Sequence, residues 1–220
     1  MAAGCEAKTM TVCSKVFQDG PRELEQIESL HTSLQPAVSI FGSARVPVDS
    51  PEYRSAFEIG HLLAKAGFTV ISGGGPGVMR AAIEGARSAS GRAVGFHIAL
   101  PFEHIDTSLQ DLSLKFENFF TRKLAFAHCS DAFIVMPGGM GTLDELFEIL
   151  TLIQTVKIKN KHVILYNYKF WSGLIQWLDR QVASKEYINI DEATKITVFD
   201  TEKDVLNCIM MKLSSKLLET

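Results

Sequence analysis

Short apolar runs alternate with longer amphipathic segments from about residue 37 to the end of the chain. The run Ala132–Met136 is apolar throughout, which is typical of a strand in a parallel sheet covered on both faces. Residues 142–156 instead place apolar side chains at helical spacing. The same two patterns predict further strands at 38–41, 68–71, 93–98, 112–116, 162–166 and 197–199, and further helices at 51–66, 78–89, 119–129, 171–183 and 204–218.

Strands that alternate with helices predict an α/β fold, in which a doubly wound, mostly parallel, Rossmann-like sheet carries helices on both faces. A length of 220 residues without an internal linker favours a single domain. Residues 1–36 show little periodicity, apart from a short helix predicted over Arg22–Leu30. We therefore expect an N-terminal extension at 1–36, forming an arm or a lid, and a Rossmann-like domain at 37–220.

Three glycine-containing loops follow predicted strands, at residues 42–45, 73–77 and 138–141. Glycine lets a ligand approach the backbone closely, and the N-terminus of a following helix favours a phosphate group. Parallel strands bring such loops to one sheet edge, so the sequence predicts a nucleotide site there. Neither glycine-rich loop has the G-x-G-x-x-G or Gly-Lys-Ser/Thr pattern, which favours a small mononucleotide over a dinucleotide or a triphosphate.

Two pairs of polar residues near the third loop allow more than one interpretation. Thr142 and Glu145 have the spacing of a capping box at the start of a helix, but they also lie at the mouth of a glycine loop. Arg122 and Lys123 place two cations in a predicted first helical turn, where they oppose the helix dipole. Their apolar surroundings favour an anionic partner over a simple solvated pair.

Composition narrows the classes of partner. The net charge of −3 argues against nucleic acid or an anionic membrane as the main partner. No segment has the length of a membrane span, the N-terminus has no signal-peptide pattern, and the four cysteines have no disulfide or metal spacing. The histidines show no metal-ligand pattern either, so we expect a cytoplasmic protein without a metal site.

The segment Pro137–Glu145 resembles the P-G-G-x-G-T-x-x-E signature of the LONELY GUY (LOG) family, and Arg122-Lys123 resembles the Arg-Lys pair of that family. The loop at 73–79 and the turn at 41–43 are also similar to family segments. Members of this family are cytokinin riboside 5′-monophosphate phosphoribohydrolases, long labelled lysine decarboxylases. The resemblance implies hydrolysis of the N-glycosidic bond of a nucleoside 5′-monophosphate, AMP or an N6-modified AMP, to free base and ribose 5-phosphate.

Positions that match the family motifs imply a set of site residues. Arg122 and Glu145 would be catalytic: Glu145 would stabilise an oxocarbenium-like ribose or orient water, and Arg122 would anchor phosphate or ribose or assist the departing base. The resemblance implies that the substrate is bound by Glu103, Lys123, Gly139, Met140, Gly141, Thr142, Leu143, Asp144 and Thr151. We also predict binding by Ser43, Gly74 and Gly75, which belong to the other two glycine loops.

The resemblance also implies a homodimer or a larger homo-oligomer. The segment Ser43–Arg45 and the two residues Pro76 and Arg80 depart from the plant-type pattern, which leaves open the base and the tolerance for a prenyl group. A decarboxylase would need pyridoxal phosphate on a lysine, and nothing indicates Lys123 for that role, so we expect no cofactor. The alternative is a non-catalytic carrier of a nucleotide or phosphorylated cofactor on the same fold.

Overall fold

A computed structural model describes residues 3–99, 106–188 and 196–217. Its sheet contains seven strands in the order β4-β3-β2-β1-β5-β6-β7, and every neighbouring pair among them is parallel. The strands are β1 (Ala37–Phe41), β2 (Thr69–Ser72), β3 (Ala93–Ile98), β4 (Leu112–Phe116), β5 (Ala132–Val135), β6 (His162–Tyr166) and β7 (Ile196–Phe199). The predicted α/β class and parallel sheet are confirmed.

Helices cover both faces of this sheet, as expected. They are α1 (Ala3–Leu34), α2 (Pro51–Lys65), α3 (Val78–Ser88), α4 (Phe119–Cys129), α5 (Met140–Gln154), α6 (Tyr168–Trp177) and α7 (Glu202–Leu217). Helices α2, α3 and α7 pack into one core cluster, and α1, α4, α5 and α6 pack into the other. The central strands β1, β2, β3 and β5 are buried along their whole length, which explains their continuous apolar runs.

The N-terminal helix differs most from the prediction. Helix α1 extends over Ala3–Leu34, whereas the sequence pattern predicted only Arg22–Leu30. Its C-terminal half packs on the domain, because Ile27 and Leu34 are buried in the same cluster as α4. Pro21 lies inside the helix, where it removes a backbone donor, so local sequence alone gives a weak helical pattern here. Burial of the apolar face compensates for that weakness.

The strand order creates a switch point beside β1. The chain leaves β1 towards α2 on one face, whereas it leaves neighbouring β5 towards α5 on the other face. Connections that diverge in this way open a crevice at the carboxyl ends of the two strands, where doubly wound folds bind ligands. The loops that begin at Gly42 and Pro137 border this crevice.

Candidate functional site

A cleft of about 630 Å³ occupies the switch point. Its lining consists of Phe41, Gly42, Ser43, Ala44, Arg45, Gly73, Met79, Phe119, Arg122, Phe126, Gly139, Met140, Gly141, Thr142, Asp144 and Glu145. The loops after β1, β2 and β5 all contribute, together with α3, α4 and α5. The cleft therefore brings together the three glycine loops and the side chains of Arg122 and Glu145, the two residues predicted to be catalytic.

Backbone hydrogen bonds through Ser43 join the three loops. Its N–H donates to the carbonyl oxygen of Pro137 at 3.1 Å, and its own carbonyl accepts from the N–H of Val78 at 3.1 Å. Its hydroxyl accepts from the N–H of Arg45, also at 3.1 Å. Ser43 thus fixes the β1 loop against both the start of α3 and the loop that precedes α5.

Helix α5 begins earlier than predicted, and this overturns the capping-box interpretation. Its first residue is Met140 and its N-cap is Gly139, so Thr142 lies inside the first turn and cannot cap the helix. A Cβ atom at Gly139 or Gly141 would meet no described atom within 4 Å. Both glycines line the cleft, so the N-terminus of α5, whose first N–H groups have no intrahelical acceptor, borders open space, as in a helix N-terminus that receives an anion.

Glu145 is the buried acidic side chain of the cleft. It is 8% exposed, and within the described part of the chain its Oε2 atom has no hydrogen-bond partner. Burial raises the pKa of Glu145 to about 7, although Arg122 and Lys123 oppose the rise. A buried carboxyl group without a local partner is costly in folding and is typical of a site that meets its partner in a ligand. A pKa near 7 also suits proton transfer at neutral pH.

Arg122 is held across the cleft by backbone and aromatic contacts. Its Nε–H donates to the carbonyl oxygen of Phe96 at 2.7 Å, and its guanidinium carbon lies 5.3 Å from the ring centre of Phe126. Space for the guanidinium comes from Gly73, because a Cβ atom there would lie 2.5 Å from Nη2 of Arg122. The β2 loop therefore needs glycine to admit an arginine from α4.

Lys123 is not among the residues that line the cleft, and it joins two helices instead. Its Nζ atom lies 2.8 Å from Oδ1 of Asp144 and 2.5 Å from Oε2 of Glu148. Burial lowers the pKa of Lys123, but its hydrogen bonds to these two carboxylates outweigh burial and raise the pKa overall. These contacts hold α4 beside the first turn of α5, so Arg122 and Glu145 stand on helices that are fixed together.

The other predicted site residues fall into three groups. Gly139, Met140, Gly141, Thr142, Asp144 and Ser43 line the cleft. Leu143 packs against the core, the Thr151 hydroxyl donates to its own helix at the Phe147 carbonyl, and Gly74 and Gly75 line a separate, smaller cleft. Glu103 lies outside the described residues.

Several lining residues were not predicted as site residues, although Phe41 and Met79 lie in segments that resemble those of the family. Phe41, Met79, Phe119 and Phe126 follow the apolar periodicity of core residues, yet each forms part of the cleft wall. Arg45 stood in a glycine-containing loop, and that position was the only indication of its place in the lining. These residues add apolar surface and one further cation to a cleft whose other lining includes Arg122, Asp144 and Glu145.

Neither a metal-ligand cluster nor a membrane-spanning helix is found among the described residues. No group of three or more His, Cys, Asp or Glu side chains is arranged there to hold a metal ion. Among the described helices, none combines the length and apolar character needed to cross a membrane.

The fold and the cleft define a Rossmann-like α/β protein with a glycine-rich helix start at its switch point. A family model described as "Possible lysine decarboxylase" matches residues 79–209. The chain therefore belongs to that family, the LOG family named above from its motifs.

Individual relatives agree with this assignment. The chain is 30% identical over 165 residues to a cytokinin riboside 5′-monophosphate phosphoribohydrolase of Mycobacterium tuberculosis, covering 74% of this chain and 88% of the relative. It is 27% identical over 159 residues to the enzyme of that name, LOG3, of Arabidopsis thaliana, covering 70% and 73%. A solved molybdenum cofactor carrier protein of Chlamydomonas reinhardtii matches with a TM-score of 0.58 and 21% identity, covering 81% of this chain and 98% of that one. That last likeness shows the shared fold.

Proposed function

We propose that this protein is a phosphoribohydrolase that cleaves the N-glycosidic bond of a nucleoside 5′-monophosphate. The observation that carries the proposal is the buried Glu145 carboxyl group, whose Oε2 atom has no partner among the described residues and which lines the cleft at the glycine-rich start of α5. Relatives with this activity in their names support it. The products would be a free base and ribose 5-phosphate.

The start of α5 is the proposed 5′-phosphate site. Gly139 and Gly141 line the cleft with no side chain to block the backbone, and the helix dipole favours a negative charge at this end. Thr142 lines the same part of the cleft and brings a hydroxyl group that can donate to a phosphate oxygen. Arg45, in the facing β1 loop, adds a positive charge to the cleft lining.

Glu145 then lies one helical turn from the phosphate site, which suits contact with the ribose. Bond cleavage develops positive charge on the sugar ring, and an ionised carboxylate stabilises that charge more strongly than it stabilises the neutral substrate. With a pKa of about 7, Glu145 also can accept a proton from the attacking water. Arg122 faces the same cleft as a fixed cation, where it binds phosphate or ribose or assists the departing base.

The proposed substrate is AMP or an N6-modified AMP. Apolar side chains in the cleft wall, among them Phe41 and Phe119, offer surfaces on which a purine ring can pack. The open mouth beside Met140, which is 82% exposed, leaves room for a substituent on the base.

The proposal includes a homodimer. Phe119, Phe120 and Leu124 on α4 are large apolar side chains that are 42% to 56% exposed beside the cleft. A second copy packing there would remove this surface from water and close one side of the site. Light scattering after gel filtration tests this part separately: the proposal requires a mass of about twice 24.3 kDa, and a monomer at micromolar concentration contradicts it.

Base release from a panel of nucleotides tests the activity. We expect purified protein to release base from AMP or isopentenyl-AMP and not from the matching nucleosides, because the phosphate supplies the binding energy. Glu145→Gln should lower the rate at least about 100-fold while the fold is kept, and Glu58→Gln on the exposed face of α2 should leave the rate unchanged. Tight AMP binding without base release in any assay would support the carrier alternative instead.

A further inference from the structure

Helix α4, which carries Arg122, begins without a cap of its own. Asn118 occupies its N-cap position with extended backbone, but its side chain makes no capping bond to the helix. No acidic residue lies in the first turn, and Arg122 and Lys123 place two cations there. Uncapped N–H groups and adjacent cations both destabilise a helix start. Something outside the helix must compensate if this turn is to hold Arg122 in place.

The compensation comes from Glu23 on α1. This side chain is 1% exposed and lies against the start of α4. Its carboxylate accepts from the N–H of Glu117 at 2.6 Å and from Nδ2 of Asn118 at 3.3 Å, and it also contacts the hydroxyl of Thr121. Three donors around a buried carboxylate satisfy it, and they fix the first turn of α4 from a distant part of the chain.

The contacts of Glu23 end beside Arg122. Thr121, which contacts Glu23, is the residue directly before Arg122 in sequence. The Arg122 side chain lines the cleft and donates to the carbonyl oxygen of Phe96. Helix α1 is itself anchored, because Ile27 and Leu34 are buried and His31 Nδ1 lies 2.8 Å from the His128 carbonyl oxygen at the far end of α4. Both ends of α4 are therefore tied to α1.

We propose that Glu23 is a positioning residue, whose carboxylate fixes the start of α4 from the N-terminal helix and so holds Arg122 in the cleft. The inference rests on the proposed function only in so far as Arg122 acts on the substrate. Glu23 lies outside residues 79–209, the segment that the family model matches. Residues 1–36 thereby acquire a role in the site.

Hydrogen exchange tests this support of α4 directly and needs no activity. Glu23→Gln keeps the shape but replaces one acceptor oxygen with an NH₂ group that faces donors. We expect the amide of Glu117, which is bonded to Glu23, and the amides of residues 122–125 to exchange at least about 10-fold faster, while those of the buried strand β5 change little. Glu25→Gln, an exposed carboxylate on the same helix, is the control and should leave exchange at α4 unchanged. Equal protection in wild type and Glu23→Gln would overturn this support of α4.

A double-mutant cycle tests the link to Arg122. We expect Glu23→Gln to lower kcat about 10-fold, and the double variant Glu23→Gln/Arg122→Ala to be no slower than Arg122→Ala alone. A residue that only stabilises the fold would give additive losses, and additive losses would overturn the positioning role. If wild type releases no base, the proposed function fails, and the cycle then measures the Kd for AMP in the same four proteins. Non-additive losses of affinity would again support the positioning role, and additive losses would overturn it. Thr121→Val, which removes one donor to Glu23, gives a second cycle if Glu23→Gln folds poorly.

Discussion

The loop after β2 and the loop after β5 are both rich in glycine, but their glycines face different surroundings. In the β2 loop each glycine is crowded by protein: Gly73 by Arg122 and Gly77 by the backbone of the β1 loop, with Gly74 and Gly75 against side chains of β3 and α3. In the β5 loop Gly138 is also crowded, by the Thr142 side chain, but a Cβ atom at Gly139 or Gly141 would lie in open space. The β2 loop therefore uses glycine for internal packing, whereas the last two glycines of the β5 loop leave access for a ligand. Substitutions should separate the two uses.

The largest effect is expected at Gly77. Its φ is +66°, and a Cβ atom would lie 2.8 Å from the carbonyl carbon of Ala44, a backbone atom that cannot turn aside. Gly77→Ala should lower the free energy of unfolding by about 3 kcal/mol or more. Gly67→Ala is the matched control, since Gly67 also has positive φ (+90°) but open space around it, and strain alone should cost about 1 kcal/mol. Urea denaturation measures both, and equal losses would contradict the packing role of the β2 loop.

Glu145, on the ligand-facing side of the cleft, should lower the free energy of unfolding as the pH rises. Its folded pKa of about 7 lies above the ordinary value of 4.5, so its contribution to stability is complete below about pH 4.5 and is lost as the pH rises through 7. The loss should amount to about 3 kcal/mol. Glu145→Gln should match wild type near pH 4.5 and be more stable than wild type at pH 8. A constant difference between the two proteins across this range would show that burial does not hold the proton on Glu145.

Gly73 tests whether the packed loop controls the site through Arg122. The three atoms nearest to a Cβ atom there belong to the ends of the Arg122 and Met79 side chains and not to the backbone, so Gly73→Ala should fold normally. The guanidinium must move, however, and base release should fall about 100-fold, which is close to the loss in Arg122→Ala. The double variant should be no worse than either single one. Full activity in Gly73→Ala together with inactive Arg122→Ala would separate the glycine from the arginine.

The fold could be predicted from the sequence because local hydrophobic patterns determine its strands and helices. The difference between the two glycine loops could not be predicted in this way. Apolar runs such as Ala132–Met136 become strands wherever both faces of a parallel sheet are covered. The crowding at Gly73 depends on an arginine from a distant helix, and the support at α4 depends on Glu23, which showed no motif. The Thr142–Glu145 spacing pointed to a capping box, yet the helix begins at Met140 and Glu145 is buried in the cleft. Contacts of high sequence separation decided each case.

The smallest expected effect gives the sharpest contrast, because stability and binding should change in opposite directions. Gly141 is exposed in the first turn of α5, so Gly141→Ala should stabilise the unliganded protein by about 0.5 kcal/mol through helix propensity. The same methyl group enters the proposed phosphate site and should weaken AMP binding about 10-fold. Gly173→Ala is the control: it lies in α6, also in open space, and should gain similar stability without any change in binding. Calorimetric titration with AMP and thermal unfolding measure the two effects. If Gly141→Ala bound AMP as tightly as Gly173→Ala, the open glycines of α5 would not be the phosphate site, and Ser43 and Arg45 across the cleft would be the next residues to test.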